Sequence, residues 1–180
     1  PSNTGGTTRP EEFSQELRFV TDRFGGLIVQ GGGYYFRQKL KYNEFAYAFP
    51  PTGDFDADRN QNIFHDNTNE NWGVFASLDY DLSEALNVRG GARYSRDRRE
   101  DRVAGYSPNL SAGYILPVRA RASDGDLTWD VSATYAVTPE VNVYARAATG
   151  YLGPAIQDRV TFGSRQTVAD KQTTISGEGG

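Results

Sequence analysis

The sequence predicts an all-β chain: antiparallel, up-and-down strands forming one segment of a transmembrane β-barrel. Three observations carry that prediction. Two long stretches alternate apolar and polar residues with a period of two, the connectors between strands alternate short and long, and the composition suits strands with two differently solvated faces. Only 37 % of the 180 residues are apolar, whereas aromatics reach 13 % and Gly numbers 20. A chain poor in aliphatics but rich in Tyr, Phe and Gly builds a pleated wall more readily than a globular core.

The strands follow in order. Near 12–21, Phe13, Leu17 and Phe19 alternate with Ser14, Glu16 and Arg18. Residues 27–41 form a second strand, rich in Gly and Tyr, whose inward parity the pattern leaves open. Over 71–82, Trp72, Val74, Ala76, Leu78, Tyr80 and Leu82 share one parity against Gly73, Phe75, Ser77, Asp79 and Asp81, with Phe75 the exception. Over 87–96, Val88, Gly90, Ala92 and Tyr94 alternate with Arg89, Gly91, Arg93 and Ser95. Over 127–137, Leu127, Trp129, Val131, Ala133, Tyr135 and Val137 stand against Thr128, Asp130, Ser132, Thr134 and Ala136. A sixth strand covers 141–151 and a further one starts near 173–180. A helix would scatter each of these sets around its circumference.

The connectors run short (21–26), long (42–70), short (83–86), long (97–126), short (138–140) and long (152–172). Outer-membrane barrels keep tight turns on the periplasmic rim and long loops outside the cell, so strict alternation follows from each strand crossing to the opposite rim. A soluble sheet with one packed face predicts the same residue alternation but not this loop asymmetry. The apolar parity would then meet lipid, where a charge costs about 2–4 kcal/mol at the midplane. Neither of the two best strands carries a charge on that parity. Trp72, Tyr80, Tyr94, Trp129 and Tyr135 sit towards the expected strand ends, where amphipathic rings suit the headgroup level.

Composition excludes several function classes. With no Cys there is no disulfide framework, zinc knuckle or thiol nucleophile. A net charge of -4 gives no reason to expect a nucleic-acid partner. No run of 18 or more apolar residues suggests a spanning helix, and the negative mean hydropathy is compatible with strands that need only about 9–11 residues and one greasy face. The N-terminus shows no charged or apolar signal region, so a signal has been removed or the chain is an internal piece; the latter is expected, because the chain stops within a strand.

The polar parity holds Glu16, Arg18, Asp79, Asp81, Arg89, Arg93, Asp130 and Arg146, expected to face the lumen. A hairpin centred near residue 85 sets Asp81 against Arg89 and Ser77 against Arg93, and one centred near 138 sets Asp130 against Arg146. Such charges serve either as a structural ladder or as direct contacts on a passing ligand. Tyr42, Phe45, Tyr47, Phe49 and Phe55 crowd the first long loop around Pro50-Pro51. Aromatic external loops can stack on planar chelates, which makes these five the ligand-binding candidates; an aromatic rim or loop self-packing is the structural alternative. Asp54, Asp56 and Asp58 open like a calcium loop, but Arg59 stands where Gly should turn the chain and His65 where a bidentate Glu should sit, so a polar loop is expected. His65 is the single histidine, by default a solvated loop residue, so no His-based metal cluster is expected. No G-x-S-x-G elbow, P-loop or dinucleotide fingerprint occurs, and no enzyme, cofactor or metal is expected. The Gly31-Gly32-Gly33 run inside a strand points to close backbone packing or a bend.

Several segments resemble TonB-dependent receptors. Phe13-Ser14-Gln15-Glu16-Leu17-Arg18 is similar to the family's F-S-Q-E-L-R strand. The run from Asn71 to Leu82, followed by Val88 to Ser95, resembles its central hairpin, in which an A-x-F-x-x-x-x-Y-x-L-like strand leads to G-x-R-Y. Val143 to Tyr151 resembles the Y-A-x-x-x-x-G-[FY] strand, Pro154 and Arg159 echo P-x-x-x-x-R, and Glu178-Gly179 resembles the start of an E-x-G strand. The resemblance implies a 22-stranded barrel around a plug domain, of which this chain, treated as residues 1–180 of one partial barrel, holds six or seven strands and no plug. It implies an outer-membrane receptor that binds a scarce nutrient, a ferric siderophore or similar iron complex foremost, and imports it with its plug, its remaining strands and the TonB complex. Such a fragment would not be competent alone. The alternatives are a non-energised porin or other outer-membrane barrel, a secreted β-sandwich binding module, and, more remotely, a barrel enzyme.

Overall fold

The computed structural model describes residues 3–47, 52–54, 58–106, 114–157 and 166–180, and every regular element among them is a strand. The strands are β1 (Asn3–Val20), β2 (Leu27–Tyr47), β3 (Arg59–Asp81), β4 (Leu86–Tyr106), β5 (Tyr114–Thr138), β6 (Val141–Leu152), β7 (Ala155–Gln157), β8 (Thr167–Ala169) and β9 (Gln172–Gly179). Seven of them make one sheet in the order β1-β2-β3-β4-β5-β6-β9, each antiparallel to its neighbours. β7 and β8 pair separately, within the connector between β6 and β9.

The short ends owe their tightness to local chemistry. In the first, Phe24 and Leu27 exchange backbone hydrogen bonds of 3.0 Å, and Gly25 and Gly26 between them take φ of 55° and 81°. Two consecutive positive φ values suit a two-residue hairpin and strain any residue with a Cβ. In the second, the Ser83 hydroxyl accepts from the amides of Ala85 and Leu86 at 3.3 and 3.1 Å. In the third, the Glu140 amide donates to Thr138 Oγ1 at 3.2 Å.

The strands are longer than the alternation predicts. β2 to β5 run 21 to 25 residues each, roughly twice what a membrane crossing needs. The connectors expected at 42–70 and 97–126 are therefore mostly strand, leaving 48–58 and 107–113 between elements, and β1 begins well before residue 12. The reason is physical: above the membrane both sheet faces meet water, so no apolar stripe marks the chain even though its ladder continues. Trp72, Tyr94 and Trp129 consequently lie inside long strands rather than towards their ends.

One face is apolar and open. Leu17 is 77 % exposed and Ile175 81 %, and the large side chains of the alternating stretches are exposed on that face with them. The buried residues Ile63, His65, Ser95, Asp101, Val103 and Ala122 share the other face. Strand register explains the glycine run and the broken alternation together. Phe19 sits opposite Gly31 and Phe75 opposite Gly32. A Cβ on Gly31 would come 2.6 Å from the Phe19 ring, and one on Gly32 2.9 Å from the Phe75 ring. Phe75 thus turns inward because Gly32 leaves room for its ring.

Candidate functional site

The inward face is a polar wall with three tiers. The lowest lies beside the short turns. Asp79 stands opposite Arg89 and Asp81 opposite Asn87, two residues away from the expected Asp81–Arg89 pairing, because the Ser83–Leu86 turn centres at residue 84. Arg89 Nε reaches Asp79 Oδ2 at 2.8 Å, Asn87 Nδ2 donates to Asp79 and Asp81 at 2.7 and 2.8 Å, and Arg23 pairs with Asp81.

The middle tier gathers Glu16, Arg18, Arg93, Asp130 and Arg146 around a groove of about 410 Å³. Arg18 Nε donates to Glu16 at 2.6 Å, and the Arg93 guanidinium lies 4.5 Å over the Tyr34 ring while its Nε donates to Ser95 Oγ at 3.0 Å. Arg93 stands opposite Phe75, and Ser77 opposite Gly91. Asp130 stands opposite Ala148, and Arg146 opposite Ser132. A register shift between Ala136 and Thr138 moves this hairpin off the centre expected at 138, so the Asp130–Arg146 pairing does not form. Arg146 instead approaches Glu178 on β9 at 3.7 Å. A double-mutant cycle on Asp79 and Arg89 in the full-length barrel should give a coupling of about 0.2–1 kcal/mol, and one on Asp130 and Arg146 close to none. Coupling at the second pair and not at the first would refute this register.

The upper tier is the part that the alternation did not reveal. Asn67, Asn69 and Asn71 continue the inward parity of β3 beyond the membrane-level residues. Asn71 Nδ2 donates to Asp97 at 2.5 Å, and Asn69 Nδ2 to Gln38 at 3.5 Å. Lys171, just before β9, reaches Asp124 at 3.2 Å and Asp126 at 3.4 Å, and its hydrogen bond to Asp124 raises the ammonium above its ordinary pKa. Gln166 donates to Asp101. The N-x-N-x-N spacing of Asn67 to Asn71 was the available signal, hidden by assigning it to a loop.

The five aromatic candidates are divided. Tyr42 lies inward on β2, stacked on His65 of β3 with ring centroids 4.1 Å apart and planes at 6°. His65 is therefore a buried strand residue, 5 % exposed, rather than a solvated loop residue, because β3 begins six residues before it. Phe45 lies on the opposite face, edge-on to Tyr47 at 5.6 Å and 5.2 Å beneath the Arg59 guanidinium. Phe49 and Phe55 lie outside the described residues. In the aspartate-rich segment Asp58 accepts from the Thr52 amide and hydroxyl at 2.8 and 2.7 Å and from the Gly53 amide at 3.2 Å. Those bonds engage both carboxylate oxygens; Asp56 lies outside the described residues.

The family described as TonB dependent receptor-like, beta-barrel, matches residues 2–179. A search of curated proteins returns no match. Among solved structures, the ferric yersiniabactin uptake receptor FyuA from Yersinia pestis superposes with a TM-score of 0.77 at 20 % identity, over 96 % of this chain and 26 % of that one. The siderophore receptor PiuA from Acinetobacter baumannii superposes with a TM-score of 0.58 at 15 % identity, over 82 % of this chain and 24 % of that one. The chain spans about a quarter of either receptor, and at these identities the likeness concerns the fold.

Proposed function

Since the chain belongs to the TonB-dependent receptor family of outer-membrane β-barrels, we propose that it is a wall section of a larger receptor that takes up a ferric siderophore or similar iron chelate. The observation that carries this reading is the inward wall itself. It is charged at the level of Glu16, Arg93 and Asp130 and carries amides above them, and near its upper end Tyr42 and His65 stack on the same inward face, beside Ile63 and Val103. Tyr42, half-buried and stacked over the buried His65, is the member of the pair that a planar chelate could meet, and the charged middle tier would grip a plug or pass a polar solute. Transport would require the rest of the barrel, a plug and energy delivered through TonB. No bond-making chemistry belongs to this reading, since the proposed role is capture and passage.

In the full-length receptor, Tyr42→Ala combined with His65→Ala should lower uptake of a radiolabelled ferric chelate at limiting concentration by roughly tenfold, a loss of about 1.4 kcal/mol in binding. Uptake should disappear altogether in cells lacking TonB. Unchanged chelate uptake in the TonB-deficient cells would instead favour a non-energised channel. Wild-type uptake by the double variant would remove the stack from the binding site.

A further inference from the structure

We propose that the connector between β6 and β9 is an internal strap, seated on the inward wall over β4 and β5, and that it confines a passing solute to the half of the wall formed by β1, β2 and β3. The inference starts from where the connector is anchored. Its described parts are residues 153–157, which include β7, and 166–171, which include β8. β7 packs against β4 and β5, and β8 against β5. The side chains that hold it belong to the inward parity. Gln166 donates to Asp101, and Lys171 reaches Asp124 at 3.2 Å and Asp126 at 3.4 Å while donating to the Gly125 carbonyl at 3.0 Å. A Cβ on Gly153 would come 2.7 Å from the Asp97 carboxyl carbon, so the chain leaves β6 lying directly against another inward side chain. Leu152 and Gln172 are paired, and β5 continues to Tyr114, far above its last partner on β6. The connector therefore leaves and returns at one level, inside the height of the wall rather than at its rim.

The wall beneath is built to be covered. Water in a lumen favours polar side chains, yet at this height the inward parity carries Val103 on β4 and Ala120 and Ala122 on β5. Val103 is 0 %, Asp101 2 % and Ala122 7 % exposed. One layer of sheet cannot bury its own face, so a second layer lies on it, and the anchors identify that layer as the connector.

Coverage is one-sided. Register sets Glu12, Gln38, Asn69, Arg99 and Ala122 abreast on a single row across five strands. Along that row Glu12 is exposed, Gln38, Asn69 and Arg99 are half-buried, and Ala122 is buried. Gln38 donates to Glu12 at 3.4 Å and accepts from Asn69 at 3.5 Å, contacts long enough to yield to a better partner. The uncovered end thus offers a carboxylate and two side-chain amides, which donate and accept, to a polar solute.

The test uses the full-length receptor in intact cells, freed of any other cysteine; this section contributes none. A membrane-impermeant maleimide should label Ala122→Cys at about a tenth of the rate of Asn69→Cys or slower, although the two positions share a row. Lys171→Glu turns the attraction to Asp124 and Asp126 into repulsion. It should raise the rate at Ala122→Cys by about fivefold and leave that at Asn69→Cys as it was. Mild oxidation should join Gly153→Cys to Asp97→Cys in the folded receptor, because a Cβ on Gly153 lies 3.0 Å from that of Asp97, within about 0.5 Å of the disulfide range. Full labelling of Asn69→Cys with a bulky maleimide should cut uptake of a radiolabelled ferric chelate by about tenfold.

Equal labelling at the two positions, or no cross-link, would overturn the strap. Protection of Ala122→Cys that survives Lys171→Glu would assign the cover to another segment and overturn it as well. Unchanged uptake after full labelling of Asn69→Cys would overturn the confinement. Should the Lys171→Glu receptor fail to fold, the labelling contrast and the cross-link in the Lys171 background decide. Only the uptake arm rests on the reading above. TonB-dependent uptake with equal labelling refutes the strap and keeps that reading, whereas the labelling contrast in a receptor that takes up no chelate does the reverse.

Discussion

Ala76→Arg in the full-length receptor is expected to destabilise the folded barrel by about 2–4 kcal/mol, whereas Ser77→Arg, one residue on, is expected to change it by less than about 0.5 kcal/mol. The contrast follows from the period of the strand, which sends neighbouring side chains to opposite faces. Ala76 is the middle one of the five outward-facing residues from Trp72 to Tyr80, abreast of Gly31 and Ala92. Small neighbours mean that the added side chain meets no steric obstacle, so the cost is that of a guanidinium among acyl chains. Ser77 lies on the inward wall opposite Gln30 and Gly91, lining the same groove as Asp130. Asp130 has no ion pair among the described residues and could accept a new arginine. Urea titration of both variants folded into vesicles reads the difference directly. Equal destabilisation would mean that the apolar parity does not face lipid.

Legibility in the sequence followed the solvent contrast across the sheet. Between Trp72 and Leu82, and between Leu127 and Val137, lipid on one side and water on the other enforce an alternation that only Phe75 breaks, and both strands could be read from it. The same strands vanish from view above that level, where Glu70, Thr68 and Asp66 alternate with Asn71, Asn69 and Asn67. Both sets are polar, so the period of two persists in the backbone and not in hydropathy. Register was the second blind spot. The turn at Ser83–Leu86 centres one residue earlier than expected, and that single step shifts every partner by two, exchanging Asp81–Arg89 for Asp79–Arg89. A bulge between Ala136 and Thr138 does similar work in the last hairpin. Polarity patterns do not encode bulges, because the extra residue can be of any type whose backbone tolerates the kink. The aromatic cluster failed for a related reason: Tyr42 and Phe45 are three apart, an odd separation that a strand sends to opposite faces but a loop does not.

Expressed alone in water, the 180-residue chain is expected to self-associate at micromolar concentration. The sheet has two open edges, β1 along its 18 residues and β9 along its 8, and each presents a row of backbone N–H and C=O groups with no partner on one side. Such edges pair with other copies unless they are covered or blunted. The face beside them makes the outcome worse, since Leu17, Phe19, Leu127 and Ile175 all stand more than half exposed. Lipid would relieve the apolar face but not the edges, because hydrocarbon offers unpaired backbone groups nothing to bond. Detergent alone should therefore fail to give a monodisperse monomer, and sedimentation velocity with and without detergent would show aggregates in both. A sharp, cooperative melt of a monomer in plain buffer would contradict this expectation. The asymmetry between the two remedies matters for function: an apolar belt is satisfied by any bilayer, but only the remaining strands of the same barrel can satisfy two edges at once. Closure of the barrel is thus a condition for the inward wall to enclose a lumen, and the proposed grip on ligand or plug belongs to the closed receptor.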